Sequence, residues 1–355
     1  MESGKNVFTP AFIYVGVILG AGFASGAEIM AYFAKYGRAG FLGLFLSCFL
    51  LSATGLAVWK ICIIENISSY QQFTEKIMGL HLSKIMEAIL GFFMFIVFSA
   101  MLAASGAALH ESIGFSYSAG IYVIATVCFI IFLFDLSGIM GLNAYISPAL
   151  IAGCIIMGLF VYFSRANPVF DVADSVVSVM RGNWYMSAFT YAGYNIITSV
   201  VVLSAMRSEM GNMKSPFVSA ALSGALLMAM GLSVFLALSV NFNTIQHSQI
   251  PMLTLIKLHG SWLEGVFMLL FLGACFTTAA TCGFAAIQTI SGRININKTL
   301  LKIIITITGI LAAYAGFSNF IEIIYPLFAA AGVLEIILIL KYYLKLIFQT
   351  RSSHK

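Results

Sequence analysis

The chain has 355 residues, 61% of them hydrophobic and only 9% charged, whereas a soluble domain carries about 25% charged residues. It therefore reads as a polytopic membrane protein, and its formal charge of +5 reads as membrane topology rather than as a nucleic-acid signature. The six cysteines lie in or at the ends of apolar segments, and the five histidines fall at segment ends or in loops. Neither set has the spacing of a disulfide framework or a metal site.

Met1 to Asn6 is a short polar cap, and the apolar run after it is too long for a signal-peptide core. With about 20 apolar residues per crossing, ten spans run approximately 8–34, 40–63, 84–109, 119–135, 140–164, 183–205, 215–240, 258–290, 299–316 and 320–346. The first span holds Val15 to Glu28, VGVILGAGFASGAE, with Gly16, Gly20, Gly22 and Gly26 inside it. Each interior glycine costs roughly 1 kcal/mol of helix relative to alanine, so this rod is expected to break near its middle. Broken backbone at membrane depth must be buried in protein or line a cavity. The other use of Gly16 and Gly20 is a small-xxx-small packing face.

Ten spans put both termini on one side. That side receives thirteen Lys and Arg residues, Lys60, Lys76, Lys84 and Arg207 among them, against five on the other, Lys35, Arg38, Arg165, Arg181 and Lys257. The positive-inside bias places both termini in the cytoplasm of a cell-membrane protein. The connections also repeat. Long loops with short amphipathic stretches follow span two (64–83) and span seven (241–257). Tight turns follow span four (Leu136–Ile139) and span nine (Phe317–Asn319). A pattern that recurs after five spans predicts a 5+5 inverted repeat within a single transmembrane domain spanning residues 1–355, with halves at about 8–164 and 183–346.

An inverted repeat requires span six to break where span one does. Its glycine-containing centre is Thr190–Tyr191–Ala192–Gly193–Tyr194–Asn195. Gly20 lies ~18 Å of helical rise from Phe8, and Gly193 ~15 Å from Asn183, near the midplane of a core about 30 Å thick. Asn195 would otherwise serve as an interhelical hydrogen bond. The connector from Arg165 to Arg181 has the pattern of an interfacial amphipathic helix, and KYYLKLIFQTRSSHK at the end that of a basic, aromatic surface anchor.

Two broken helices supply both signs of electrostatics. The outer half of span one would offer N–H groups near Gly22 to an anion; the inner half would offer carbonyls near Leu19 and Gly20 to a small cation. Span eight adds Thr277, Thr278 and Thr281, hydroxyls suited to a desolvated alkali cation or to back-bonding within their own helix. Glu28 and Glu335 are carboxylates within spans, functional candidates by position. Glu28 is placed to line the outer path, pair with Lys35 or Arg38, or accept a proton. Asp135, Glu87, Glu111, Glu264 and Glu322 fall near segment ends and read as structural. Gly20–Gly22 is not a dinucleotide fingerprint, since Ser25 stands at its third position and no strand precedes it. There is no P-loop, hence no ATPase. No catalytic constellation is present.

GAGFASGAE in the first of ten spans resembles the YkvI-type bacterial membrane proteins of the amino acid–polyamine–cation superfamily. The resemblance implies an all-α, leucine-transporter-like (LeuT-like) fold with helices one and six discontinuous. It also implies that the carbonyls of Gly16 and Leu19, with Ala274, Thr277 and Thr278 of the A-x-x-T-T run in span eight, hold a sodium ion. Gly20, Ala21, Gly22 and Phe23 would face the substrate, together with Phe189, Tyr191, Ala192, Gly193 and Asn195. Span three lacks the tyrosine that the best-known subgroup places near its substrate, which implies either a different substrate or Phe98 as a steric stand-in only, and Glu28 belongs to the YkvI-like motif alone. The expectation is a cation-coupled secondary transporter, sodium being the coupling ion and no other cofactor needed, that moves a small amino acid or related amine-bearing solute by alternating access. Its rivals are a proton-coupled carrier or exchanger using Glu28, and a small-molecule sensor on a transporter scaffold.

Overall fold

The computed structural model describes residues 8–134, 142–164, 183–210, 215–292 and 297–352. The turn expected at Leu136–Ile139 and the connector Arg165 to Arg181 lie outside the described residues. Among the described residues the chain is helical throughout, without a strand. The first apolar segment is three pieces, α1 (Phe8–Ile18), α2 (Ala21–Ala24) and α3 (Ala27–Tyr32). Then come α4 (Arg38–Ile64), a short α5 (Tyr70–Met78), α6 (Leu80–Ile113), α7 (Tyr117–Leu133) and α8 (Leu142–Phe163). After the connector follow α9 (Trp184–Ala205), α10 (Ser215–Val240), the short α11 (Phe242–Ile245) and α12 (Pro251–Lys257), α13 (Ser261–Ser291) and α14 (Lys298–Ala313). A turn of helix, α15 (Phe317–Asn319), leads through a π-helical turn at Phe320–Ile324 into α16 (Tyr325–Ser352). Pro326, second in α16, has no N–H to return to the preceding turn, which accounts for the widened turn before it.

Among the described residues six helices are long and apolar enough to cross a membrane: α4, α6, α9, α10, α13 and the run Phe317–Gln349. Their outward faces carry bare hydrophobic side chains. Phe45, Phe49, Phe92, Trp262, Leu269 and Leu327 are each more than half exposed, as suits a surface solvated by lipid. Between helices the packing runs on small residues, because lipid offers no hydrophobic drive for helix association. A Cβ on Gly332 of α16 would strike the backbone carbonyl of Gly193 on α9, and one on Gly193 would lie 2.5 Å from Ala329 O.

That crossing corrects an expectation. α9 is one unbroken helix from Trp184 to Ala205, not a pair of half-helices divided near Gly193. Its polar residues return their hydrogen bonds to their own helix: Thr190 Oγ1 donates to Met186 O at 2.9 Å, Asn195 Nδ2 to Tyr191 O at 2.9 Å and Ser199 Oγ to Asn195 O at 2.8 Å. With those groups satisfied internally and Gly193 consumed by packing, nothing opens the ladder.

The face at which the first segment ends is tied together by hydrogen bonds. Ser187 Oγ, at the start of α9, donates to Tyr32 O at 2.7 Å, and Tyr32 OH to Ile321 O at 2.6 Å. α6 is 34 residues long, ~50 Å of rise, so its end projects past the apolar layer. There Glu111 accepts hydrogen bonds from Ser248 Oγ (2.8 Å) and the Gln249 amide (2.9 Å), and Gln249 Oε1 accepts one from the Phe317 amide (3.1 Å). Lys257 Nζ donates to the Glu111 and Ser112 carbonyls, and Ser112 Oγ to Glu264 Oε1 at 2.6 Å. The two end-of-segment carboxylates, Glu111 and Glu264, thus tie α6, the 242–257 connection, α13 and α15 into one seal.

Candidate functional site

The break in the first segment begins with one hydrogen bond. In a continuous helix the Gly20 N–H would donate to Gly16 O; here it donates to Ile18 O at 2.9 Å, and Gly20 turns extended at φ −82° and ψ 177°. α2 then lasts one turn. A second interruption follows at Ser25–Gly26, where Gly26 takes the left-handed φ of 78° that glycine tolerates best. Ser25 holds it: its hydroxyl donates to Gly22 O at 2.8 Å and accepts from the Ala27 amide at 3.1 Å, while its carbonyl accepts from the Met252 amide of α12 at 2.9 Å. The first segment is therefore pinned from outside itself.

Against this break lies a cavity of about 240 Å³, room for about eight water-sized groups. α1 contributes Gly16, Val17 and Ile18, and the break Gly20, Gly22 and Glu28. α6 contributes Phe93, Met94, Val97 and Met101; α9 contributes Tyr194, Asn195, Thr198, Val201 and Val202. α13 supplies Thr278, Thr281, Cys282 and Ala285, and Tyr325 closes the end. Glu28 and Tyr194 at the deep end are buried, while Thr198, Val201 and Val202 are partly exposed. Because α9 runs from the sealed face, this gradient leads away from the seal, toward the face at which α1 begins.

Glu28 sits at 5% exposure. Its side chain folds back over Gly22, so that a Cβ there would collide with the carboxyl, reaching Glu28 Cδ at 2.7 Å. Gly22 is glycine because a carboxylate occupies the place of its side chain. Around that carboxylate stand Tyr32, Tyr191, Tyr194 and Tyr325, with ring centroids 5.1 Å apart for Tyr194–Tyr325 and 5.5 Å for Tyr191–Tyr194. Tyr194 faces the carboxyl closely enough for the two side chains to interact, although Glu28 Oε2 and the Tyr194 hydroxyl have no well-formed hydrogen bond among the described residues. Lys35 does not reach Glu28; its ammonium lies over the Tyr36 ring at 5.4 Å.

Of the residues singled out from the sequence, Gly16, Gly20, Gly22, Glu28, Asn195, Thr278 and Thr281 meet at the cavity. Ala21, Phe23 and Leu19 are buried beside it without lining it, and Ala192 and Gly193 turn to the helix packing. Tyr191 joins the tyrosine cluster, and Phe189 is partly exposed. Ala274 and Thr277 are buried off the cavity, the Thr277 hydroxyl donating to Gly273 O and Ala274 O at 3.1 and 3.3 Å. Glu335 is fully buried in α16, with neither carboxylate oxygen partnered among the described residues, away from the cavity and facing Tyr70. Sequence reasoning missed Tyr194, Tyr325 and Phe93. The visible trace was an i, i+3 pair of tyrosines, Tyr191 and Tyr194, in a span with no other need for hydroxyls.

No protein-family model matches the chain. The chain is 27% identical over 331 residues to the Bacillus subtilis membrane protein YkvI, covering 92% of this chain and 94% of that one. It is 26% identical over 342 residues to YyaD of the same organism, covering 93% and 95%. Among solved structures, MhsT in complex with L-phenylalanine superposes with TM-score 0.64 at 14% identity, covering 94% of this chain and 88% of that one. A manganese transporter of Eremococcus coleocola gives 0.56 at 13% identity (94% and 78%), and a Na+-coupled sialic acid symporter 0.56 at 12% (87% and 74%). At such identities what is shared is the fold. The chain is a membrane protein homologous to YkvI, built on the LeuT-like fold of these solved transporters.

Proposed function

We propose that the protein is a cation-coupled secondary transporter working by alternating access between the two membrane faces, with sodium as the coupling ion and a small amino acid or related amine-bearing solute as substrate. The observation that carries this is the cavity at the broken first segment: it is buried at one end, graded toward the face of α1's start, and shut off from the opposite face by the Tyr32 and Glu111 seals. That asymmetry is what an inward-open state requires, with the termini cytoplasmic as the charge bias expects. The chain's length, its relatives and the fold it shares with solved symporters support the same reading.

The sodium ion belongs where the α1 ladder ends. Gly16 O has lost its usual donor to Ile18 O, and Thr278 lines the same cavity from α13. One carbonyl and one hydroxyl are part of an alkali-cation shell. Thr277 contributes only by placing Thr278, since its own hydroxyl is spent on α13. Binding there would hold α1 against α13 and favour one state over the other, the condition for coupling. The test is uptake into proteoliposomes across imposed sodium and proton gradients. Accumulation driven by sodium and lost on collapsing that gradient supports the proposal; accumulation driven only by protons transfers it to the rival reading.

That rival rests on Glu28, a buried carboxylate lining the cavity with one oxygen unpartnered, as a proton carrier needs. In that case Glu28→Gln abolishes proton-driven uptake, while Thr278→Ala leaves it intact.

A further inference from the structure

Glu28 also bears on what the cavity takes. We infer that the substrate of this site is a small organic monocation, an ammonium without a carboxylate, held by Glu28 and the surrounding aromatic rings. This rests on the transport reading for its physiological role, but it is a statement about binding and is testable without transport.

Three observations on the cavity converge. First, the position over Gly22, where a substrate carboxylate was expected, is taken by the protein's own carboxylate. A zwitterionic amino acid would have to lay its carboxylate beside that of Glu28. Second, the described residues that line the cavity include no Lys, Arg or His, so a substrate anion finds no counter-charge on a side chain. Glu28 meanwhile is buried with Tyr194 beside it and Oε2 without a well-formed hydrogen bond, and a buried carboxylate without a cationic partner is costly. An ammonium entering the cavity meets one sign of side-chain charge only. Third, Phe93, Tyr194 and Tyr325 form a contiguous aromatic wall, with centroids 5.5 Å apart for Phe93–Tyr325, 5.1 Å for Tyr194–Tyr325 and 6.4 Å for Phe93–Tyr194. Such faces attract organic cations.

The same facts set limits. One carboxylate balances one positive charge, so a diamine or polyamine would leave its second charge among Met94, Val97 and Met101. A divalent metal would need further hard ligands, and no group of three His, Cys, Asp or Glu stands together among the described residues. The volume, about eight water-sized groups, admits a compact amine.

The experiment compares phenethylamine with L-phenylalanine, which share ring and ammonium and differ by the carboxylate. Binding to the purified full-length protein in detergent is measured by calorimetry, with thermal shift in parallel. 2-Phenylethanol is the uncharged control, and tetramethylammonium and methylamine extend the series. Phenethylamine is expected to bind at least tenfold more tightly than L-phenylalanine. Glu28→Gln should weaken it on the order of 30-fold, as for a buried charge pair that loses one partner, while Glu28→Asp retains part of the affinity. Because Glu28→Gln replaces an ionisable group buried without a cationic partner, the ligand-free variant should melt no lower than the parent, which separates lost recognition from lost folding; Phe93→Leu gives a second variant with the carboxylate intact. Equal or tighter binding of L-phenylalanine, unchanged binding by Glu28→Gln, or no binding by any amine overturns the inference. Amine binding without counterflow in liposomes overturns the transport reading alone. Sodium-driven uptake of L-phenylalanine with no amine binding overturns this inference alone.

Discussion

The first apolar segment and α9 both carry glycine among polar residues in a long apolar run, both border the cavity, and they use glycine in opposite ways. In residues 8–32 the breaks are held by partners beyond the local helix turn: Ser25 O by the Met252 amide of another element, and the space over Gly22 by Glu28 from past the second break. In α9 every polar side chain with a recorded hydrogen bond closes on its own helix or, for Ser187, on Tyr32. Its glycine faces Gly332. Glycine weakens a helix in either place. Whether the helix breaks depends on whether neighbouring elements offer the freed groups better partners.

The largest expected effect tests the packing half of this contrast. Gly332→Ala puts a methyl into the backbone of Gly193, and no flexible side chain is there to yield. A loss of about 3 kcal/mol is expected, read as a large drop in thermal midpoint or as failure to purify a monodisperse protein. Gly20→Ala is its counterpart. Gly20 has an ordinary extended backbone, and a Cβ there meets nothing within 4 Å, so its stability should change by less than about 0.5 kcal/mol. If both alanines are tolerated equally, the distinction between packing and cavity glycines is wrong.

Next in size is Gly22→Ala. Its methyl meets the Glu28 side chain, which can move, so about 1–2 kcal/mol is expected. The diagnostic measurement is a double-mutant cycle. Glu28→Ala should relieve most of the cost, giving a coupling of about 1 kcal/mol or more. Additive effects would mean that Gly22 is needed for its backbone and not for the carboxylate.

This contrast also shows why the chain was only partly legible beforehand. Of the ten spans expected from the length of apolar runs, six appear among the described residues as helices long and apolar enough to cross a membrane, and α5, α11 and α12 fall within the stretches expected to be amphipathic. The break in the first segment was expected because four glycines fall there within eleven residues. The break expected in the sixth span had one glycine, and its partner Gly332 lies 139 residues away; no local pattern reveals a crossing of that kind. Thr277 and Thr278 are adjacent and alike, but 100° of helical rotation sends one to its own backbone and the other to the cavity. Glu28 could not be placed from sequence because its defining contact is six residues back across the Ser25–Gly26 turn.

The third prediction uses that threonine pair. Thr278→Ala should weaken the stabilisation by sodium about tenfold in apparent affinity, ~1.4 kcal/mol, as measured by sodium titration of the thermal midpoint. Thr277→Ala should leave the sodium response in place. A sodium response lost in neither variant would remove the ion from the α1–α13 junction.

The smallest expected effect lies at the face toward which the cavity is graded, where α4 and α16 meet. Glu65 Oε2 is 2.8 Å from Lys76 Nζ, and its Oε1 accepts from Tyr342 OH at 2.7 Å. The hydrogen bond from Lys76 first, then that from Tyr342, holds the Glu65 carboxyl below the usual carboxylate range. A depressed folded value means that this contribution is fully present above the unfolded value of about 4.3 and is lost as pH falls through the folded value. Lys76 is 48% exposed, so solvent and salt screen the pair and the contribution is at most about 1 kcal/mol. Glu65→Gln should therefore melt slightly below the parent at pH 7, and the gap should close as the parent's carboxylate is protonated. Raising the salt concentration at pH 7 should narrow the gap in the same direction. A gap unchanged by pH or salt would assign the loss to packing of Tyr342 against the side chain, and the α4–α16 junction would then owe its stability to shape, as the α9–α16 crossing does, and not to charge.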